Sequence, residues 1–182
     1  NLDFGGRKSE GDTRLDDYPD LIIRVPNGTD LNITQSSLHL DSQVELNDAD
    51  LDVGGCFDLA IEAVETLRLE KSGSGDIDIG SAGTVTIEKS GSGELEIDTT
   101  GTFDLNQSGS GDVDINGIDG PVRIEKSGSG EIEIGSLNGS LKVEKSGSGD
   151  ITVDDGTIAS LSVETSGSGD VDINAAVDDA YV

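Results

Sequence analysis

The tetrapeptide Ser-Gly-Ser-Gly occurs six times, at 72–75, 90–93, 108–111, 127–130, 146–149 and 166–169, at intervals of 18, 18, 19, 19 and 20 residues. Self-similarity at a nearly fixed period marks a repeat architecture, in which a unit too small to bury its own apolar side chains buries them against its neighbours. Every recurrence sits in the same phrase, for example Val122-Arg123-Ile124-Glu125-Lys126-Ser127-Gly128-Ser129-Gly130-Glu131-Ile132-Glu133-Ile134. The phrase reads as strand, corner, strand.

Before the corner, apolar residues alternate with polar ones at Leu67/Leu69, Val85/Ile87, Phe103/Leu105, Val122/Ile124, Leu141/Val143 and Leu161/Val163. After it they alternate again at Ile77/Ile79, Leu95/Ile97, Val113/Ile115, Ile132/Ile134, Ile151/Val153 and Val171/Ile173. A period of two is that of a strand with one buried face, and the β-branched second set suits a pleated surface. Helix is rejected at both sites. The fold class is therefore all-β: a single-stranded parallel β-helix, or β-solenoid, of about eight coils of 18–20 residues, making a rod roughly 35–40 Å long at the spacing of neighbouring strands. In the corner, glycine supplies the positive φ a sharp turn needs, and small serines let successive turns stack closely.

The whole chain, 1–182, reads as one domain. Residues 1–20 are polar and predict a cap or arm, and 21–66 predict irregular first coils. Within these, 54–64 is expected to be a loop, because Asp50 and Asp76 lie 26 positions apart where one period would be 18–20. Residues 67–175 form the regular coils and 176–182 a tail. That tail offers no capping helix, which leaves the last coil's edge open for self-association.

Low hydrophobicity (32%), few aromatics (3%) and a formal charge of -27 would on composition alone also fit a disordered chain. The aliphatic columns implied by the repeat argue against it. The same charge excludes nucleic acid and anionic lipid as partners, since phosphate would be repelled. No apolar run reaches membrane-span length, and the opening Asn1-Leu2-Asp3 carries no signal-peptide pattern. Cys56 is the sole cysteine, which precludes a disulfide framework, and is expected to be a small buried side chain. Four of the asparagines, Asn27, Asn32, Asn106 and Asn138, lie in Asn-x-Ser/Thr sequons and are candidate glycosylation sites.

Stacking in register turns each repeat position into a column, and the columns outside the second strand are acidic. One holds Asp76, Glu94, Asp112, Glu131, Asp150 and Asp170, and the other Asp78, Glu96, Asp114, Glu133, Thr152 and Asp172. Like charges about 5 Å apart repel by about 1 kcal/mol per pair even in water. Lys71, Lys89, Lys126 and Lys145, each following a glutamate, are expected to relieve part of this on the first strand. The acidic columns have no such partners. Their eleven carboxylates are candidate ligands for a hard cation such as calcium, although no cofactor is required and diffuse screening of a solvated acidic face is the more ordinary explanation of such a charge run.

Two calcium motifs fail on inspection. Asp112-Val113-Asp114-Ile115-Asn116-Gly117 opens like an EF-hand loop, but Arg123 stands where the twelfth-position glutamate belongs. The nonapeptide of calcium-binding β-rolls doubles to a period of 18, yet here aspartate directly follows glycine, once per coil. Gly-rich phosphate loops and Thr-x-Thr ice-binding ladders are absent from the pattern. His39 is the sole histidine and no catalytic pair is legible. A calcium-dependent polysaccharide lyase would need an arginine such as Arg123 beside the acidic strand, and no enzyme activity is expected.

The phrase Ser-Gly-Ser-Gly-Asp-Ile-Asp-Ile, together with the opening Ile22-Ile23-Arg24-Val25-Pro26-Asn27-Gly28-Thr29-Asp30-Leu31, resembles the auto-transporter adhesin head (GIN) domains and related β-strand-repeat domains of prokaryotic envelope proteins. The resemblance covers about residues 20–175. It implies a right-handed β-helix outside the cytoplasm, extracellular or at the cell surface, and carries no catalytic residues. The expected function is a non-enzymatic surface scaffold presenting a rigid acidic face. The alternatives are a filament subunit assembled end to end through terminal coils and a calcium-dependent surface-binding module.

Overall fold

The structure is a computed structural model that describes residues 25–35 and 38–181. The expected cap at 1–20 and the strand opening at Ile22 lie outside the described residues. Eleven strands form one sheet in which every pairing is parallel: β1 (Thr29–Gln35), β2 (Leu38–Val53), β3 (Cys56–Lys71), β4 (Ser74–Lys89), β5 (Leu95–Gln107), β6 (Val113–Ile118), β7 (Val122–Lys126), β8 (Ile132–Lys145), β9 (Ile151–Thr165), β10 (Val171–Ile173) and β11 (Ala176–Tyr181). The sheet winds on itself as stacked coils, a β-solenoid of about eight turns, because each strand pairs with the segment one period away. No helix occurs among the described residues.

The alternating side chains line up as inferred. Leu67, Val85, Phe103, Val122, Leu141 and Leu161 are successive register partners, as are Ile79, Ile97, Ile115, Ile134, Val153 and Ile173. A third inward column, Val64, Ala82, Thr100, Ile118 and Leu137, stands at the bend that joins each second strand to the next first strand. Apolar burial is the main term holding such a stack, at about 25 cal/mol per Å² removed from water.

Two boundary expectations are corrected. Residues 56–64, placed in a loop, are strand: Cys56-Phe57-Asp58-Leu59-Ala60-Ile61 pairs residue for residue with Ser74-Gly75-Asp76-Ile77-Asp78-Ile79. The 26-residue gap arises because Asp50 and Asp76 are not equivalent positions: Asp50 pairs with Arg68 and Asp58 with Asp76, each at an offset of 18, and the corner between them has lost its serines, with Gly55 (φ 78°) keeping the turn. Residues 176–181, read as a tail, form β11 on Thr157–Ser162 of β9.

The corner glycines also have a different reason from the one expected. Of the regular corners only Gly93 has positive φ (104°). Backbone proximity governs the others: a Cβ on Gly128 would lie 1.6 Å from the carbonyl oxygen of Gly109, and one on Gly147 1.8 Å from that of Gly128. Corners stack backbone against backbone, held by N–H groups such as those of Ser90, Ser108 and Ser146 donating to Lys71, Lys89 and Lys126 carbonyls at 2.8–2.9 Å. No side chain fits between them.

Candidate functional site: an acidic face over a lysine-filled corner

The second strand of each coil turns outward the residue between its two inward aliphatics, so the register builds one file of Ala60, Asp78, Glu96, Asp114, Glu133, Thr152 and Asp172. Ala60, Asp114 and Thr152 are half-buried, and the remaining four, all carboxylates, are exposed. Beside it, at the foot of the corner, stand Asp76, Glu94, Asp112, Glu131, Asp150 and Asp170, all exposed. The structure thus brings the eleven predicted carboxylates onto one face. Among the described residues, no three His, Cys, Asp or Glu side chains converge in an arrangement that could hold a metal ion.

The corner aspartates have work inside the stack. Asp76 accepts a hydrogen bond from the backbone N–H of Glu94 (2.9 Å), Asp112 from that of Glu131 (2.8 Å), and Asp150 from that of Asp170 (2.8 Å). Each ties its coil to the next with a charge-assisted bond. Further relief comes from neutral amides: Asn116 Nδ2 donates to Asp98 (2.9 Å) and Asn138 Nδ2 to Asp119 (3.0 Å). Where carboxylates meet without such a donor the strain is visible. Glu94 is held above the ordinary carboxylate range by its side-chain hydrogen bond with Asp114, reinforced by the charges of Asp114, Asp76 and Glu96.

The lysines do not neutralise the outer face. Lys71, Lys89, Lys126 and Lys145 continue the inward alternation of the first strand and are 1–2% exposed, in one column that runs Val53, Lys71, Lys89, Gln107, Lys126, Lys145, Thr165. Their ammonium groups sit under the corners and donate to main-chain carbonyls: Lys71 to Ser92 (2.9 Å), Lys89 to Asp112 (3.3 Å), Lys126 to Gly128 (3.2 Å) and Lys145 to Gly169. Gln107 donates to Gly111, and its Oε1 is buried with no partner. Phe57 closes the lower end, its ring 5.3 Å from the Lys71 ammonium. Burial lowers the pKa of Lys71, of Lys126 and of Lys89, the last to about 8 with the further help of Lys71. The signal was present in the period, since 67, 69 and 71 share a parity, but an ionised side chain is rarely expected inside.

The outward face of the first strand carries the cations that do pair. Arg68 meets Glu70 at 2.8 Å and Glu88 at 4.0 Å, Lys142 meets Glu144 at 2.7 Å, and Arg123 lies against Glu125 and, at 3.8 Å, Glu144. Arg123 is therefore part of a surface charge ladder. His39 lies exposed, 3.9 Å from Asp58. Cys56, expected inside, is exposed, because its register partner is the outward serine Ser74. The sequon asparagines Asn27, Asn32, Asn106 and Asn138 are all exposed.

No helix among the described residues is long and apolar enough to cross a membrane. Neither a curated protein nor a solved structure matches the chain. The sequence profile of the family described as "Putative auto-transporter adhesin, head GIN domain" matches it twice, over residues 7–119 and 87–179. Two overlapping matches are what a stack of near-identical coils produces, and together they span the solenoid from end to end: the chain belongs to the auto-transporter adhesin head GIN domain family.

Proposed function

We propose that this protein is a non-enzymatic cell-surface or secreted scaffold, adhesin-like, that presents a rigid acidic face to its partner. The observation that supports this most directly is the register itself: exposed carboxylates stand in two files at strand spacing on hydrogen-bonded coils, a flat repeating charge pattern instead of an irregular concave site. Family membership supports a surface, adhesin-like role. The partner fitting such a face is a cationic or cation-bridged surface. Replacing Asp78, Glu96, Asp114 and Glu133 together by their amides should abolish adherence to a polycationic surface and leave the circular dichroism spectrum unchanged. Undiminished adherence would refute the reading. A polysaccharide panel should show no turnover; lyase or glycosidase activity lost in Asp112→Asn or Arg123→Ala would overturn it as well.

A second reading is a structural subunit that assembles end to end into a filament, because the main-chain groups of a parallel coil can pair with a coil added above or below it. Negative-stain electron microscopy separates the two: short rods support a presented head, long filaments a structural polymer. A calcium-dependent mode of binding is the third reading, supported by the carboxylate rows and tested by melting the protein in millimolar calcium against sodium chloride at matched ionic strength.

A further inference from the structure

The four buried ammonium groups are arranged as two adjacent pairs. Lys71 and Lys89 are direct register partners, as are Lys126 and Lys145, and the neutral Gln107 stands between the pairs. Among the described residues none of the four lies within salt-bridge distance of a carboxylate. Each instead donates to a single main-chain carbonyl. The protein around them leaves no slack: a Cβ on Gly111 would lie 2.5 Å from the Lys89 ammonium, and one on Gly149 2.6 Å from that of Lys126. Like charges stacked one strand apart in a low-dielectric corner, with incomplete hydrogen bonding, push the coils apart where the glycines hold them closest.

We propose that Lys71, Lys89 and Lys126 make this column a proton-titrated clamp inside the rod. Charging it loosens the stack of Ser-Gly-Ser-Gly corners, and removing protons in mildly alkaline conditions tightens them.

The groups facing Lys89 are Lys71 on β3 and Lys126 on β7, which oppose its charge, and Asp112 on the corner above, which favours it. Asp76 acts likewise on Lys71, and Asp112 and Asp150 act so on Lys126, while Lys145 opposes the charge on Lys126. Burial is the leading cause throughout. With Lys89 at about 8 in the folded chain against 10.5 for a free lysine, the folded state binds fewer protons than the unfolded state between those values. Stability therefore rises with pH across that window, and below pH 8, where both states are protonated, the gain is absent. The rest of the molecule has the opposite trend: with a net charge of -27, every proton lost from a surface lysine adds to self-repulsion. A rise thus identifies the interior.

The test is the melting temperature between pH 7 and pH 10 at constant ionic strength, for the unmodified chain, Lys89→Gln, Gln107→Lys and the exposed control Lys142→Gln. Glutamine already occupies the column at 107, so Lys89→Gln keeps a side chain the corner accepts. The parent should gain about 5 °C over the range. Lys89→Gln should melt higher than the parent at pH 7 and lose most of the gain. Gln107→Lys, which makes five ammoniums contiguous, should melt lower at pH 7 and climb more steeply, and Lys142→Gln should follow the parent. A parent curve that is flat or falls, or a Lys89→Gln curve with the full gain, overturns the proposal.

Discussion

The two turns of each coil, the Ser-Gly-Ser-Gly corner and the opposite bend, follow different rules. At the Ser-Gly-Ser-Gly corners the period does not change: Gln107 pairs with Lys126 and, across the corner, Val113 with Ile132, both offset by 19; Lys145 with Thr165 and Ile151 with Val171, both by 20. Where the tetrapeptide is missing the corner is not so fixed, since Gln35 pairs with Val53 at 18 and Leu38 with Phe57 at 19. At the bend the period does change. Thr100 pairs with Ile118 at an offset of 18 but Phe103 with Val122 at 19, and Leu137 pairs with Gly156 at 19 but Ser140 with Ser160 at 20. The register shifts between Ser42 and Glu45 and between Gly139 and Ser140 fall at the bend too. The intervals of 18, 19 and 20 are therefore one corner and strand frame plus bends of variable length. The difference is physical: the corner packs main chain on main chain over a polar column, where nothing can be added, while the bend packs side chains whose volumes can be exchanged.

The sharpest way to break this comparison is insertion. One extra glycine between Ser129 and Gly130 should slip the strand that follows, turning Ile132 and Ile134 to the outer face, and greatly weaken the cooperative thermal transition, since a one-residue slip inverts a strand. The same insertion between Gly139 and Ser140, where the chain already bulges, should lower the melting temperature by only a few degrees. Equal losses from both would end the distinction.

A smaller contrast uses single methyl groups. Gly128→Ala drives a Cβ into the Gly109 carbonyl and should cost about 3 kcal/mol in denaturant unfolding. Gly117→Ala at the bend meets nothing nearer than 3.7 Å and has no positive φ, so it should be neutral or stabilising by up to about 1 kcal/mol.

Smaller again is the corner aspartate. Asp112→Ala removes the acceptor for the Glu131 N–H and should lose about 1 kcal/mol, whereas Asp112→Asn keeps an acceptor oxygen and should lose less than half of that. The least effect is expected from the ion. With the corner aspartates already bonded to main-chain N–H groups, millimolar calcium and sodium chloride at matched ionic strength should give melting temperatures within about 1 °C, as screening requires. A clear excess in calcium would instead establish specific sites.

Much of the outer site was legible in advance. The period placed Asp78, Glu96, Asp114 and Glu133 in one file, because parallel in-register stacking makes equal repeat positions neighbours. The inner site was not. Lys71 and Lys89 share the parity of Leu69 and Ile87, yet whether an ammonium can lie inside depends on carbonyls that only the stacked corners provide. The register of Cys56–Ile61 was hidden for a related reason: its corner lacks the tetrapeptide, and only the pairing with Ser74–Ile79 reveals that it is one.

The amino-acid sequence by itself determined the coil length, the inward aliphatic columns and the acidic files, since alternation and period are properties of the chain alone. Tertiary structure decided which way the lysines point, why the corners must be glycine and where extra residues are absorbed. Those depend on how close one coil's main chain comes to the next, a distance that exists only once the coils are stacked.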